Sequence, residues 1–216
     1  MHKFGLIGHP IEHSKSPELF TVAYSGKYKY DLIEGTDFEK SYSRFLKEYQ
    51  AINVTAPFKG DAFEKADIIS GPAALTGAAN ILVRTKDGVA AYNSDVTGVE
   101  NILKELEDIR TVAVIGTGGA GRAALQAAFR SGLRATSFHH DQLESVPESD
   151  LVIYTLPRPA EGIDLLRCRY LLEANYRDPA FSPEKLSRRG ITYIPGERWL
   201  REQAAAGFPI MTGEKI

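Results

Sequence analysis

The sequence predicts an α/β fold in two lobes, and three observations carry that prediction. Two successive stretches of chain alternate short apolar tracts with segments of helical spacing. The tract TVAVIG at 111–116 is almost uniformly apolar, as a strand inside a parallel sheet is. The run GTGGAG, Gly116 to Gly121, follows that tract and opens an Ala-rich helix. The expected division gives 1–96 to the first lobe, with a helix over 197–216 packing back onto it, and 97–196 to the second.

In the first lobe, FGLIG (4–8) reads as a short buried strand. Ser16-Pro17 then starts a helix, because proline suits a first helical position and a serine hydroxyl can cap exposed N–H groups. KYKYDLI (27–33) reads as a strand whose aromatics alternate with polar residues. Over 37–49, Phe38, Tyr42, Phe45, Leu46 and Tyr49 fall at helical spacing behind the candidate N-cap Asp37. AINV (51–54) is the next strand. After a Gly- and Ala-rich passage, 80–84 and 89–93 flank Lys86-Asp87-Gly88, a hairpin signal because Asp-Gly tolerates the turn dihedrals. A helix over 97–109 is expected to link the lobes, with a second link near 190–200.

The second lobe begins at 111–116 and continues through the glycine turn into a helix ending near Gly132. Candidate strands at 134–138, 150–154, 169–173 and 191–194 complete the alternation, and 197–207 reads as a helix.

The chain has 216 residues, which at about 100–200 residues per domain allows one domain or two small ones. A formal charge of -2 gives no electrostatic argument for nucleic acid or an anionic membrane as partner. The single cysteine, Cys168, excludes an intrachain disulfide framework and multi-Cys zinc patterns, so no metal is expected. It fits a reducing compartment. With no secretory leader or long apolar run in the sequence, the expected location is cytoplasmic.

Four groups of residues stand where chemistry can occur. The glycine turn is in the right context for a dinucleotide pyrophosphate: missing side chains permit close approach, and the helix start supplies N–H donors. A glycine turn packed tightly against a sheet is the plainer alternative. In ATSFHHD, any of His139, His140 and Asp141 can border an adenosine ribose, or the segment is an ordinary polar loop. Ser14 and Ser16 stand before a helix, where hydroxyls can bind a carboxylate or simply cap. Lys59, Asn80, Asn93 and Asp95 all fall near ends of candidate strands, where side chains from separate segments converge.

Taken together, GLIGHPIEHSKSP, NVTAPFKGDAF, GAANILVR, YNSDVTGV, VIGTGGAGRAA and ERWLREQAA resemble the shikimate dehydrogenase family over nearly the whole chain. The resemblance implies an N-terminal substrate-binding α/β domain, a Rossmann-like dinucleotide-binding domain and a cleft between them. It implies reversible hydride transfer between NADP(H) and shikimate/3-dehydroshikimate, in aromatic amino-acid precursor biosynthesis. By the same resemblance Ser14 and Ser16 hold the substrate carboxylate, and Asn53 and Thr55 belong to the substrate-site motif. Lys59 matches the catalytic lysine, and Asn80 and Asp95 face the ring hydroxyls, with Asp95 paired to Lys59 in catalysis. Tyr176 and Gln203 complete the pocket. Gly116, Gly118, Gly119, Ala120 and Gly121 form the nucleotide turn, with His139 and His140 beside it. A monomer or homodimer is expected.

The chain departs from the family pattern at several places. Ile81 and Ser94 replace family threonines. Phe138-His139-His140-Asp141 replaces the Asn-Arg-Thr segment whose arginines recognise the extra phosphate of NADP, so NAD is a possible cofactor. The interval from His140 to Asp150 is too short for the usual intervening helix. Two other functions therefore accompany the leading one: a quinate/shikimate dehydrogenase using NAD(H), and a non-enzymatic shikimate-binding regulatory homologue.

Overall fold

The computed structural model describes residues 2–216, and its elements fall into two compact units. The first runs up to Ser94 and takes up Ala204–Ile216; the second is Asp95–Gln203. The dividing line thus crosses the last helix, and both Asp95 and Gln203 belong to the second unit.

The first unit contains β1 (Lys3–Gly8), α1 (Ser16–Ala23), β2 (Lys29–Glu34), α2 (Phe38–Glu48), β3 (Ala51–Val54), α3 (Lys59–Glu64), β4 (Ile68–Ile69), α4 (Gly71–Thr76), β5 (Ile81–Thr85) and β6 (Gly88–Tyr92). Its sheet has the order β2-β1-β3-β5-β6-β4. The alternation of side chains along each strand sorts them onto two faces. Ile7, Ile52 and Leu82 join Phe38, Phe45 and Tyr49 of the α2 region on one side; Phe4, Ala51 and Ile81 join Phe20, Phe208 and Met211 on the other. α2 starts as expected, the Asp37 carboxylate accepting the Lys40 N–H over 3.1 Å.

The second unit holds most of α5 (Ser94–Leu103), then β7 (Thr111–Ile115), α6 (Gly119–Arg130), β8 (Arg134–Phe138), β9 (Ser149–Tyr154), β10 (Cys168–Glu173), α7 (Pro183–Arg188), β11 (Thr192–Ile194) and the start of α8 (Gly196–Thr212). Its sheet runs β11-β10-β9-β7-β8 with every pairing parallel. Buried Ala123, Ala124, Ala127 and Ala128 of α6 pack with Val112, Val114, Leu151 and Ile153, small side chains letting the helix lie close to the sheet. Between β8 and β9 a single 3₁₀ turn, Leu143–Ser145, takes the place of a helix, as the short interval predicts.

The Gly- and Ala-rich passage before residue 80, to which the sequence assigns no element, forms α3, β4 and α4, with Gly77 closing α4 at a φ of 56°. Two expectations about the elements need correction. The linking helix spans Ser94–Leu103 rather than 97–109; Asp108 lies beyond it at a φ of 53°, and Leu106 and Ile109 still pack against the core. The last helix passes through both Gly207 and Pro209 to end at Thr212, longer than 197–207 and short of 216. Burial of Phe208 and Met211 outweighs the local breakers there.

Candidate active site

Parallel strands leave their ligands at the carboxyl end of the sheet, where successive connections diverge to opposite sides. In the first unit the chain leaves β1 for β2 on one flank, while β3 pairs on the other. Residues just beyond β1 and β3 therefore share one rim. His9 N–H donates to the Ala56 carbonyl over 3.1 Å, and Thr55 N–H donates to the Ile7 carbonyl over 2.9 Å. Gly8 is needed there, because a Cβ on it would stand 2.3 Å from the Thr55 methyl and 2.7 Å from Ile11. The antiparallel register pairs Asn53 with Ile81 and Ile81 with Tyr92, which brings Asn80 and Asn93 to the same rim.

The side chains at this rim are tied together. Asn53 is buried, and its Nδ2 donates to the Asn80 carbonyl over 3.3 Å. Tyr30 donates its hydroxyl to Asn53 Oδ1 over 2.7 Å. Burial pushes the Tyr30 phenol far above its ordinary range, while the Ser16 contact acts the other way, so Tyr30 stays protonated and can donate. Asn80 is clasped by Ser94, and Asn93 donates to Thr76 Oγ1 and the Ala78 carbonyl, each over 3.0 Å.

Ser16 is the first residue of α1, behind Lys15, and caps nothing; Ser14 Oγ accepts the Ser16 N–H over 3.2 Å. The capping reading is thus corrected for Ser16, which is buried and makes no side-chain cap bond. Lys59 opens α3, and its carbonyl accepts the Ala79 N–H over 2.9 Å, next to Asn80. Ser14, Ser16, Asn53, Thr55, Lys59 and Asn80 all belong to this unit. The residues of this unit's rim offer hydroxyls and amides, with Lys59 at the head of α3, a set suited to a small polyhydroxylated acid.

In the second unit the same rule puts the divergence between β7 and β9. The glycine turn leaves β7 there. Gly116 has a φ of 107°, and a Cβ on it would lie 2.4 Å from Thr155 Oγ1, whose hydroxyl donates to the Ile115 carbonyl over 2.8 Å. A Cβ on Gly121 would lie 1.9 Å from the Gly116 carbonyl oxygen, whereas Gly118, the N-cap of α6, faces open space. Gly119 and Ala120 begin the helix. These residues fit a pyrophosphate: an open, side-chain-free approach at the start of a 12-residue helix.

Beyond β8 the rings of His139 and His140 stand 4.1 Å apart between centroids, both exposed. Asp141 Oδ1 is 3.0 Å from His139 Nδ1, and that contact holds the Asp141 carboxyl below its ordinary range. Gln142 Oε1 accepts the His139 N–H over 2.8 Å, so the turn is internally braced.

The remaining predicted residues lie elsewhere in this unit. Asp95 is buried on the first turn of α5, and its carbonyl accepts the Trp199 Nε1–H over 3.2 Å. A Cβ on Gly98 would come 2.8 Å from the Gln203 nitrogen, so glycine lets α5 and α8 approach closely. Tyr176 follows β10 in a loop shaped by Asn175, which accepts the N–H groups of Arg177 and Asp178. That loop is anchored by Glu173, fully buried, whose carboxylate accepts the Ala180 N–H over 2.6 Å and the Tyr193 hydroxyl over 2.7 Å. Burial pushes the Glu173 carboxyl up, and its hydrogen bonds act against that shift.

Sequence reasoning missed Tyr30, Thr155, Glu173 and Trp199. Tyr30 had a signal, since the alternating aromatics of KYKYDLI put it on the face shared with Phe4 and Phe20. Burial pushes the Cys168 thiol up to about 11, which disfavours its thiolate. Among the described residues no group of three or more His, Cys, Asp or Glu can hold a metal ion, and no helix is long and apolar enough to cross a membrane.

Comparison with known proteins places these features in a family context. Residues 6–82 match the family model for the shikimate dehydrogenase substrate binding domain. The shikimate dehydrogenase (NADP(+)) of Ignicoccus hospitalis is 30% identical, the alignment covering 83% of this chain and 80% of that protein. The pentafunctional AROM polypeptide 1 of Lodderomyces elongisporus is 28% identical over 98% of this chain, which spans only 17% of that polypeptide. Among solved structures, the shikimate 5-dehydrogenase of Thermus thermophilus in complex with NADP(H) and shikimate superposes with a TM-score of 0.86 at 22% identity, over 100% of this chain and 95% of that one.

Proposed function

The chain belongs to the shikimate dehydrogenase family, and from that premise we propose that it transfers hydride reversibly between NADP(H) and the alcohol/ketone carbon of shikimate/3-dehydroshikimate. The observation that carries the proposal is the rim of the first unit, where Asn53 is held by Tyr30 and Asn80, and Asn80 by Ser94, in the same unit as Ser14, Ser16, Thr55 and Lys59. Its donors suit a ring bearing a carboxylate and several hydroxyls.

Ser14 and Ser16 bind the carboxylate, and Asn53, Thr55 and Asn80 bind and orient the ring. Gly116, Gly118, Gly119, Ala120 and Gly121 would hold the dinucleotide, which when bound would supply or take the hydride. Lys59 gives a proton to the oxygen that gains charge as the ketone is reduced, and its ammonium stabilises that charge. In the oxidation direction the proton returns through Lys59 and Asp95. Tyr176 and Gln203 contribute to the ring-acid pocket, and His139 and His140 border the adenosine end of the dinucleotide.

The test is a steady-state assay of reduced nicotinamide with shikimate or quinate and with NADP or NAD, accompanied by calorimetric titration of each ligand. Turnover of shikimate with NADP is expected. Shikimate binding without hydride transfer would make the chain a non-enzymatic binding protein, the reading that the shortened β8 to β9 connection would then favour.

A further inference from the structure

We propose that Tyr30 is a positioning residue for the ring-acid site, setting the side chain of Asn53 through its phenolic oxygen; the inference rests on the functional reading above. The direction of each hydrogen bond follows from an atom that has no choice. The Asn80 carbonyl can only accept, so the end of the Asn53 amide facing it over 3.3 Å is Nδ2. The other end, Oδ1, then faces Tyr30 and accepts its only proton over 2.7 Å.

Tyr30 therefore fixes which way the Asn53 amide is turned. With Oδ1 occupied by the phenol, the amide has one N–H left beyond its bond to Asn80, and it presents a donor to any ligand oxygen. Without the phenol, Oδ1 has lost the partner that restrains its side of the amide. The ring of Tyr30 is held independently of its hydroxyl: it lies 4.8 Å from Phe20 and 6.5 Å from Phe208 between centroids, on a strand whose register pairs Tyr30 with Phe4. Tyr30→Phe thus removes the oxygen and keeps the packing.

The experiment is a double-mutant cycle of Tyr30→Phe and Asn53→Ala, read as separate KM values for ring acid and dinucleotide, with a parallel NMR measurement of the Asn53 side-chain amide. Tyr30→Phe should raise the ring-acid KM about tenfold, the size of one buried hydrogen bond, and leave kcat and the dinucleotide KM within about twofold. The double variant should be little worse than Asn53→Ala alone, because the two act through one contact. The Asn53 amide signals, identified by their loss in Asn53→Ala, should shift or broaden in Tyr30→Phe. An unchanged ring-acid KM, fully additive effects, or unmoved amide signals would each overturn the proposal. A wild-type protein with no turnover would instead sink the functional reading, and the amide signals would still decide the hold of Tyr30 on Asn53.

Discussion

Ser94 donates its backbone N–H to the Asn80 side-chain oxygen over 2.8 Å, and Asn80 returns its Nδ2–H to the Ser94 hydroxyl over 3.0 Å. The pair closes the rim between the residue before β5 and the residue that opens α5. Both residues are buried, so neither bond is traded cheaply for water. Ser94→Ala keeps the backbone donor and removes the hydroxyl. The expected result is a ring-acid KM raised about fivefold, from the roughly 1 kcal/mol net value of a buried hydrogen bond, with little change in dinucleotide KM. Steady-state kinetics with each substrate varied in turn checks this.

Replacing Ser14 and Ser16 together by alanine removes both hydroxyls assigned to the carboxylate. Losing a charge-assisted hydrogen bond costs about 1.5–3 kcal/mol, so shikimate affinity should fall by roughly one to two orders of magnitude. Dinucleotide affinity should hold. Calorimetry on the folded variant separates the two, and unchanged shikimate affinity would remove the serines from the carboxylate site.

Cofactor choice follows from the turn beyond β8. By the family resemblance His139 and His140 replace arginines that grip an added phosphate, and His139 is already engaged by Asp141. NADP is therefore expected to be preferred over NAD by a modest margin. A ratio of kcat/KM above about 1000-fold, or roughly 4 kcal/mol of transition-state discrimination, would contradict this.

Glu173 makes a prediction about pH. Burial raises its folded-state pKa above the unfolded value, so the native state binds the proton more tightly than the unfolded chain. Its contribution to stability is fully present below the unfolded pKa and is lost as pH rises through the folded one. Glu173→Gln removes that titration. The stability of wild type minus that of Glu173→Gln should fall as pH rises from the ordinary glutamate range upward. Urea unfolding of both proteins at a series of pH values gives the difference; a rise across that window would show that the carboxylate is favoured by its Ala180 and Tyr193 bonds more than burial disfavours it.

Much of this was legible in the sequence, and the exceptions have physical causes. AINV and the tract at 134–138 coincide with β3 and β8: AINV is a short apolar run, and RATSF follows the glycine just past α6 in an alternating α/β pattern. The glycine turn was readable too: Gly116 and Gly121 leave no room for a side chain. Pro209 reads locally as a stop, yet the chain continues through it because Phe208 and Met211 fill a distant core. Ser14, Ser16, Asn53, Lys59 and Asn80 were singled out by motif, but their supports were not. Tyr30 lies 23 residues from Asn53, and Trp199 lies 104 residues from Asp95; only the sheet register and helix packing bring those pairs together.

The role of Lys59 at the head of α3 is the claim most open to a single measurement. Lys59→Met keeps an unbranched apolar stem and removes the ammonium, which separates chemistry from most of the packing. Single-turnover formation of reduced nicotinamide from shikimate, with folding checked by circular dichroism, reads the chemical step directly. A rate lower by roughly 100–10000-fold, with shikimate still bound, is the expected result for loss of a general acid–base group. A near-wild-type rate in a correctly folded variant would contradict the assignment of Lys59 as the proton-transferring residue.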